Sequence, residues 1–183
     1  MELNLRSLIG KLNNTCRSTL ESSAGLCLSR TNYNVELEHW LTKLIEDSSA
    51  DISRIFRQFE VNPDRVNAGL TNVLDKLRTG NTRTPGFSPN ILAAIKDAWL
   101  LSTVEFGYRS VRSGMLLLAI LTDPQMARSL SDASREFERI AAADLKSNFA
   151  KIVEGSYEEA EMAADPSPSG GPATPGMKVS GKT

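Results

Sequence analysis

Residues 35–47 (VELEHWLTKLIED) lie over residues 111–123 (VRSGMLLLAILTD) without a gap, at an offset of 76. Val35 and Val111, Trp40 and Leu116, Leu41 and Leu117, Leu44 and Ile120, Ile45 and Leu121, and Asp47 and Asp123 agree in character. The pieces around them recur in one order: a long helix, a turn, an apolar helix with an acidic stop, a short helix, another long helix. A period of this length predicts two supersecondary units packed as one pseudo-symmetric domain, not a solenoid array. The repeats span about residues 12–78 and 88–153, with the Gly/Pro-containing loop 79–88 as the hinge between them.

The spacing of apolar residues predicts an all-α domain. Three- and four-residue spacings recur, and no sustained period-2 alternation is present. Leu5, Leu8, Ile9 and Leu12 mark an extra amphipathic helix over residues 1–11. Leu12, Cys16, Leu20, Ala24 and Cys27 form the stripe of a longer one, followed by Leu37–Ile45 and by Ile52, Ile55, Phe56 and Phe59. Asn62-Pro63 and Ser88-Pro89 read as N-cap and first-turn pairs. Helices then follow through Ile91–Phe106, Val111–Leu121 and Gln125–Leu130, and a last long one carries Phe137, Ile140, Leu145, Phe149 and Ile152.

Composition narrows the functional classes. The 21 basic and 22 acidic residues leave a net charge of −1, without the basic excess of a general nucleic-acid binder. The longest apolar run, Met115–Leu121, is far below the ~20 residues of a membrane span, and the N-terminus has no signal-peptide pattern. The expected setting is the cytoplasm, with neither nucleic acid nor membrane as a partner. His39 is the only histidine, which excludes His-rich zinc sites and leaves one candidate base for a triad. Cys16 and Cys27 fall on one helix face about 16 Å apart, too far to bond, and read as buried thiols.

From residue 154 the chain turns acidic, then rich in Pro, Gly and Ser, and residues 154–183 read as a flexible linker. Glu158, Glu159, Glu161 and Asp165 are expected to be solvated. Residues 176–183 (GMKVSGKT) fit G-x-x-x-x-G-K-[ST], but no strand precedes them and no helix follows, so a phosphate site is not expected. No cofactor, metal or catalytic role is expected within these 183 residues.

Two four-helix repeats carrying a Glu-His-Leu-Leu-like helix, here Leu37-Glu38-His39-Trp40-Leu41, resemble the Clp amino-terminal domain. That domain precedes the ATPase rings of Clp/Hsp100 AAA+ unfoldases. The second repeat departs from the motif with Ser113-Gly114-Met115. The extra N-terminal segment, with residues 57–62 and 88–102, is similar to the ClpV (TssH) branch of bacterial type VI secretion. The resemblance implies a non-catalytic domain that recognises an N-terminal helix of the large sheath subunit, TssC or VipB, for sheath disassembly. It also implies a AAA+ domain beyond the linker, a hexamer in the full-length protein and a monomeric isolated domain. The alternatives are a general disaggregase-type domain binding unfolded apolar segments, and a small helical enzyme using His39.

A recognition surface is legible from spacing. The extra helix is too short to be stable alone, so it must dock. Docked beside the long helix, it would form one wall of a cleft that accepts an amphipathic helix by i, i+3, i+4, i+7 anchors. The expected lining is Leu5, Leu8, Ile9, Leu12, Thr15, Thr19 and Phe87, with Phe87 reaching in from the exposed hinge loop.

Overall fold

The computed structural model describes residues 4–164. Its helices are Leu5–Ile9 (α1), Asn14–Ser29 (α2), Leu37–Ile45 (α3), Asp51–Gln58 (α4), Pro63–Asp75 (α5), Pro89–Leu100 (α6), Ser113–Thr122 (α7), Pro124–Ala133 (α8), Ala142–Ser147 (α9), Phe149–Ile152 (α10) and Tyr157–Ala164 (α11). Asn34–Val35 (β1) and Gly86–Phe87 (β2) form a short parallel pair. The architecture is all-α, with α2–α5 as one repeat and α6–α10 as the other.

Local chemistry sets the helix starts. Asn62 Oδ1 accepts from the Asp64 amide at 2.9 Å and the Arg65 amide at 3.3 Å, with Pro63 in the first turn. Asp123 caps α8 in the same way, ahead of Pro124. Such caps stabilise a helix by about 1 kcal/mol each. Ser88 takes the N-cap position of α6, yet its buried Oγ has no partner.

Each repeat contributes one half of two parallel bridges. Val35 pairs with Phe87, and Leu12 pairs with Val111. The Asn13 amide donates to Val111 O at 2.9 Å, and the Val111 amide to Lys11 O at 2.7 Å. Both bridges therefore join one repeat to the other. Between them runs α7, in which every residue from Ser113 to Ile120 is buried. A helix apolar all round belongs in the centre of a domain, and α7 packs on α4, α6, α8 and α9.

Several expectations are corrected. The continuous helix through Phe106 passes into a π turn at Leu101–Glu105, beyond which the Phe106 ring lies tilted against Tyr108 and edge-on to Phe149, at 5.5 and 5.6 Å between centroids. The single long helix over Phe137–Ile152 is a 3-10 turn, Arg135–Arg139, followed by α9 and α10. The hinge is tied down: the Asn81 amide donates to Thr31 O at 2.9 Å, and Asn81 Nδ2 to Asn32 O at 3.1 Å. The acidic segment at 157–164 is helix α11, so ordered structure continues past residue 154. The P-loop-like residues 176–183, and the linker beyond 164, lie outside the described residues.

Candidate functional site

The short helix α1 opens with Asn4, whose Oδ1 accepts from the Arg6 amide at 2.8 Å. It packs on α6 and buries Leu8, while Leu5 and Ile9 stay half-exposed along its length. Lys11 Nζ lies 5.0 Å from the Trp99 ring centre, adding a cation–π contact to this docking. The chain then breaks at Gly10–Asn13 before α2, so α1 and α2 are separate helices meeting at an angle set by the Leu12–Val111 bridge.

Of the seven expected cleft residues, the structure leaves Leu5, Ile9, Thr19 and Phe87 partly exposed. Leu12 is 1% exposed and belongs to the core, because the bridge turns its side chain inward. Leu8 is likewise buried, between α1 and the domain. Thr15 is 7% exposed: its amide and Oγ1 donate to Glu161 at 3.2 and 2.6 Å. Thr19 Oγ1 donates to Thr15 O at 2.7 Å and accepts from Trp40 Nε1 at 3.1 Å, so it anchors the indole of α3. Phe87 is half-buried against the core as part of β2, rather than free on a loop.

Beneath this surface lies a buried polar node that spacing does not reveal. Asp51, at the start of α4, is bidentate with Arg112, at 2.7 Å from Nε and 2.9 Å from Nη2. Ser156 Oγ also donates to Asp51 Oδ1. Glu158 of α11 is fully buried, contrary to a solvated acidic stretch. It accepts from Asn13 Nδ2 at 2.9 Å, the Asp51 amide at 2.8 Å and the Ser113 amide at 2.7 Å, and from Ser113 Oγ. Burial, reinforced by the Asp51 carboxylate, pushes Glu158 up to about 7, against the pull of Ser113 and Asn13. Burial works to lower the pKa of Arg112, but Asp51 and Glu159 raise it above its ordinary value. The node ties the N-termini of α2, α4 and α7 to α11. One sequence signal was available: Ser156-x-x-Glu159 is the pattern of a helix start.

His39 is structural. Its Nδ1 accepts from the Glu36 amide at 2.9 Å and its Nε2 bonds Asn32 Oδ1 at 3.0 Å, which fixes the neutral Nε2–H tautomer. Burial, with Arg30 nearby, lowers it to about 4. Neither ring nitrogen is left for a substrate. Cys16 and Cys27 are both buried free thiols, and burial, with Glu158 nearby, raises the Cys16 pKa. Among the described residues, no group of three or more His, Cys, Asp or Glu is placed to hold a metal ion. No helix among them is long and apolar enough to cross a membrane.

Two clefts occupy equivalent places in the repeats. One of about 360 Å³ is lined by Ile45, Ser48, Ile52 and Val61. The other, about 300 Å³, is lined by Leu121, Pro124, Arg128 and Phe137. Each carries one arginine, Arg57 in the first and Arg128 in the second, and the second adds the carboxylate of Glu138.

Comparison with known proteins places this geometry. Residues 11–133 match the Clp repeat (R) N-terminal domain. The chain is 38% identical over 168 residues to the chaperone protein ClpB of Yersinia enterocolitica, covering 92% of the chain and 19% of that protein. It is 31% identical over 164 residues to the AAA+ ATPase ClpV1 of Pseudomonas aeruginosa, covering 90% of the chain and 18% of that protein. Among solved structures, a ClpV N-domain in complex with a VipB peptide superposes with a TM-score of 0.73 at 30% identity, over 86% of this chain and 96% of that one. The chain spans about a fifth of the length of the curated relatives. With the motif helix, the two bridged repeats and the extra helix α1 in place, the chain belongs to the Clp repeat N-terminal domain family and is homologous to the ClpV N-domain.

Proposed function

We propose that this chain is the substrate-recognition domain of a AAA+ unfoldase of bacterial type VI secretion. In this reading it binds an N-terminal helix of the large sheath subunit, TssC or VipB, in the cytoplasm, so that an attached ATPase ring can disassemble the sheath. The observation that carries it is the likeness, at 30% identity, to a ClpV N-domain solved with a VipB peptide. The surface supports it. Leu5 and Ile9 are four residues apart on one face of α1 and half-exposed, a seam against which a partner helix can lay its own apolar anchors. One such contact per domain gives modest affinity, and copies on a hexamer would strengthen it by avidity.

A second reading, a general disaggregase-type domain, is favoured by the higher identity to ClpB, 38% against 31% for ClpV1. Fluorescence anisotropy with a labelled VipB peptide, beside a permanently unfolded protein, separates the two. The sheath reading expects saturable peptide binding that Leu5→Ala and Ile9→Ala each weaken about tenfold or more, as for a buried anchor. Equal binding of the unfolded protein, indifferent to both substitutions, would sink it in favour of the disaggregase reading.

A further inference from the structure

Residues 32–36 of the first repeat align with 108–112 of the second at the same offset of 76. In the second repeat this stretch is covered by α11. Arg112 lies 5.7 Å over the Tyr108 ring and receives Glu159 of α11 at 2.9 Å, and Ser110 Oγ donates to Met162 Sδ at 3.4 Å. Ser110, Arg112 and Val153 are buried there. At the aligned positions of the first repeat, Asn34 is exposed, and Glu36 and Leu77 are half-exposed. With Asn32, Tyr33 and Arg78 these residues line a cleft of about 380 Å³.

The cleft repeats one feature of the covered seat and reverses another. Arg78 lies 4.7 Å over the Tyr33 ring, so each repeat stacks an arginine on a tyrosine, although the pairs occupy different aligned positions. A ring beneath the guanidinium holds it flat and leaves its N–H fork open to a carboxylate at the edge. In the second repeat that carboxylate is Glu159. Among the described residues, Arg78 forms no ion pair. The nearby acids are already engaged: Asp75 pairs with Arg30 at 2.9 Å, and the Glu36 side chain caps α3 through the His39 amide. The reversal is Glu36 itself, an acid where the second repeat has Arg112.

We propose that this cleft is a docking site for a helix of a partner protein, seated as α11 is seated on the other repeat. The partner helix offers a carboxylate to Arg78 and a cation toward Glu36, and rests on the exposed side of Leu77. The site is separate from the α1 surface and stands whether or not that surface binds a sheath helix.

The probe is a helix-forming peptide of three EAAAK units, acetylated and amidated, which carries both charges. Its control has Gln in place of each Glu. Each is titrated into the full chain and followed by amide chemical shifts. The expected result is saturable shifts around residues 32–36 and 77–78 with the Glu peptide, and binding about tenfold weaker with the Gln peptide. Arg78→Gln should weaken the Glu peptide about tenfold, and Tyr33→Leu about threefold, by freeing the guanidinium from its ring. Both side chains are exposed, and an unshifted remainder of the spectrum shows that each variant keeps its fold. Equal binding of the two peptides, shifts centred on Thr15 and Ser113 instead, or no binding at millimolar peptide overturns the proposal. So does self-association of the free chain that Arg78→Gln abolishes in sedimentation, because the occupant would then be a second copy.

Discussion

A methyl group at position 114 would stand 2.8 Å from the Phe149 ring and 3.1 Å from Asp51 Cβ. That crowding explains why the second repeat has no counterpart of Glu38. Gly114 aligns with Glu38 and Met115 with His39. In the first repeat, α3 is capped from within, by Glu36 and His39 together. In the second, α7 has no side-chain cap of its own, and its first amides are taken by Glu158 and Asp51. Close approach of Phe149 and Asp51 leaves room for glycine alone. Gly114→Ala should therefore destabilise the domain by about 1–3 kcal/mol through overpacking. Gly25→Ala is the control: it lies inside α2 with nothing within 4 Å of the added carbon, and should stabilise by about 0.5–1 kcal/mol. Urea denaturation curves for the two variants should shift in opposite directions with unchanged slope.

At the scale of the element, α11 carries the pH dependence. The Glu158 carboxyl holds its proton more tightly when docked, with a pKa of about 7 against an ordinary 4.5. The Asp51 carboxylate of α4 raises it further, Ser113 and Asn13 pull it down, and Cys16 of α2 lies within reach of its charge. The docked state binds the extra proton, so docking is favoured at low pH and weakens as pH rises from about 4.5 to 7. Hydrogen exchange of the α11 amides, corrected for intrinsic rates, should show protection falling between pH 5 and pH 8, and Glu158→Gln should flatten that profile. A profile already flat in the wild type would rule this out. A local readout is needed because His39 runs the other way: with its pKa lowered to about 4, it withdraws stability as pH falls below about 6.5. Most helices were legible because their start signals are local, as at Asn62-Pro63 and Ser88-Pro89. The break after Phe137 was not, because a 3-10 turn keeps apolar residues three apart and so continues the stripe. Two-residue strands are too short to show alternation. Within the candidate site, Leu5 and Ile9 could be read from helical spacing. Glu158 could not: its partners Ser113, Asp51 and Asn13 lie 45, 107 and 145 residues away.

For the whole molecule, the two repeats share one core. Met115 to Leu118 of α7 are each 0% exposed, walled partly by α4 of the first repeat. The Asp51–Arg112 pair crosses the same boundary and is itself buried, and leaving either charge unpaired there costs about 3–5 kcal/mol. Polypeptides 1–80 and 81–183 made separately should therefore show no cooperative thermal transition by circular dichroism. A sharp transition in either one would show that the repeats are independent units. The bridges say something about symmetry as well. Val35 of the first repeat meets Phe87 at the entry to the second, and Val111 of the second meets Leu12 at the entry to the first. Each repeat thus offers the same two edges and receives the same two in return, which is the reciprocal pattern of an isologous dimer written into a single chain. A lone repeat would leave both edges open, and two copies of it, related by a twofold axis, would close them on each other.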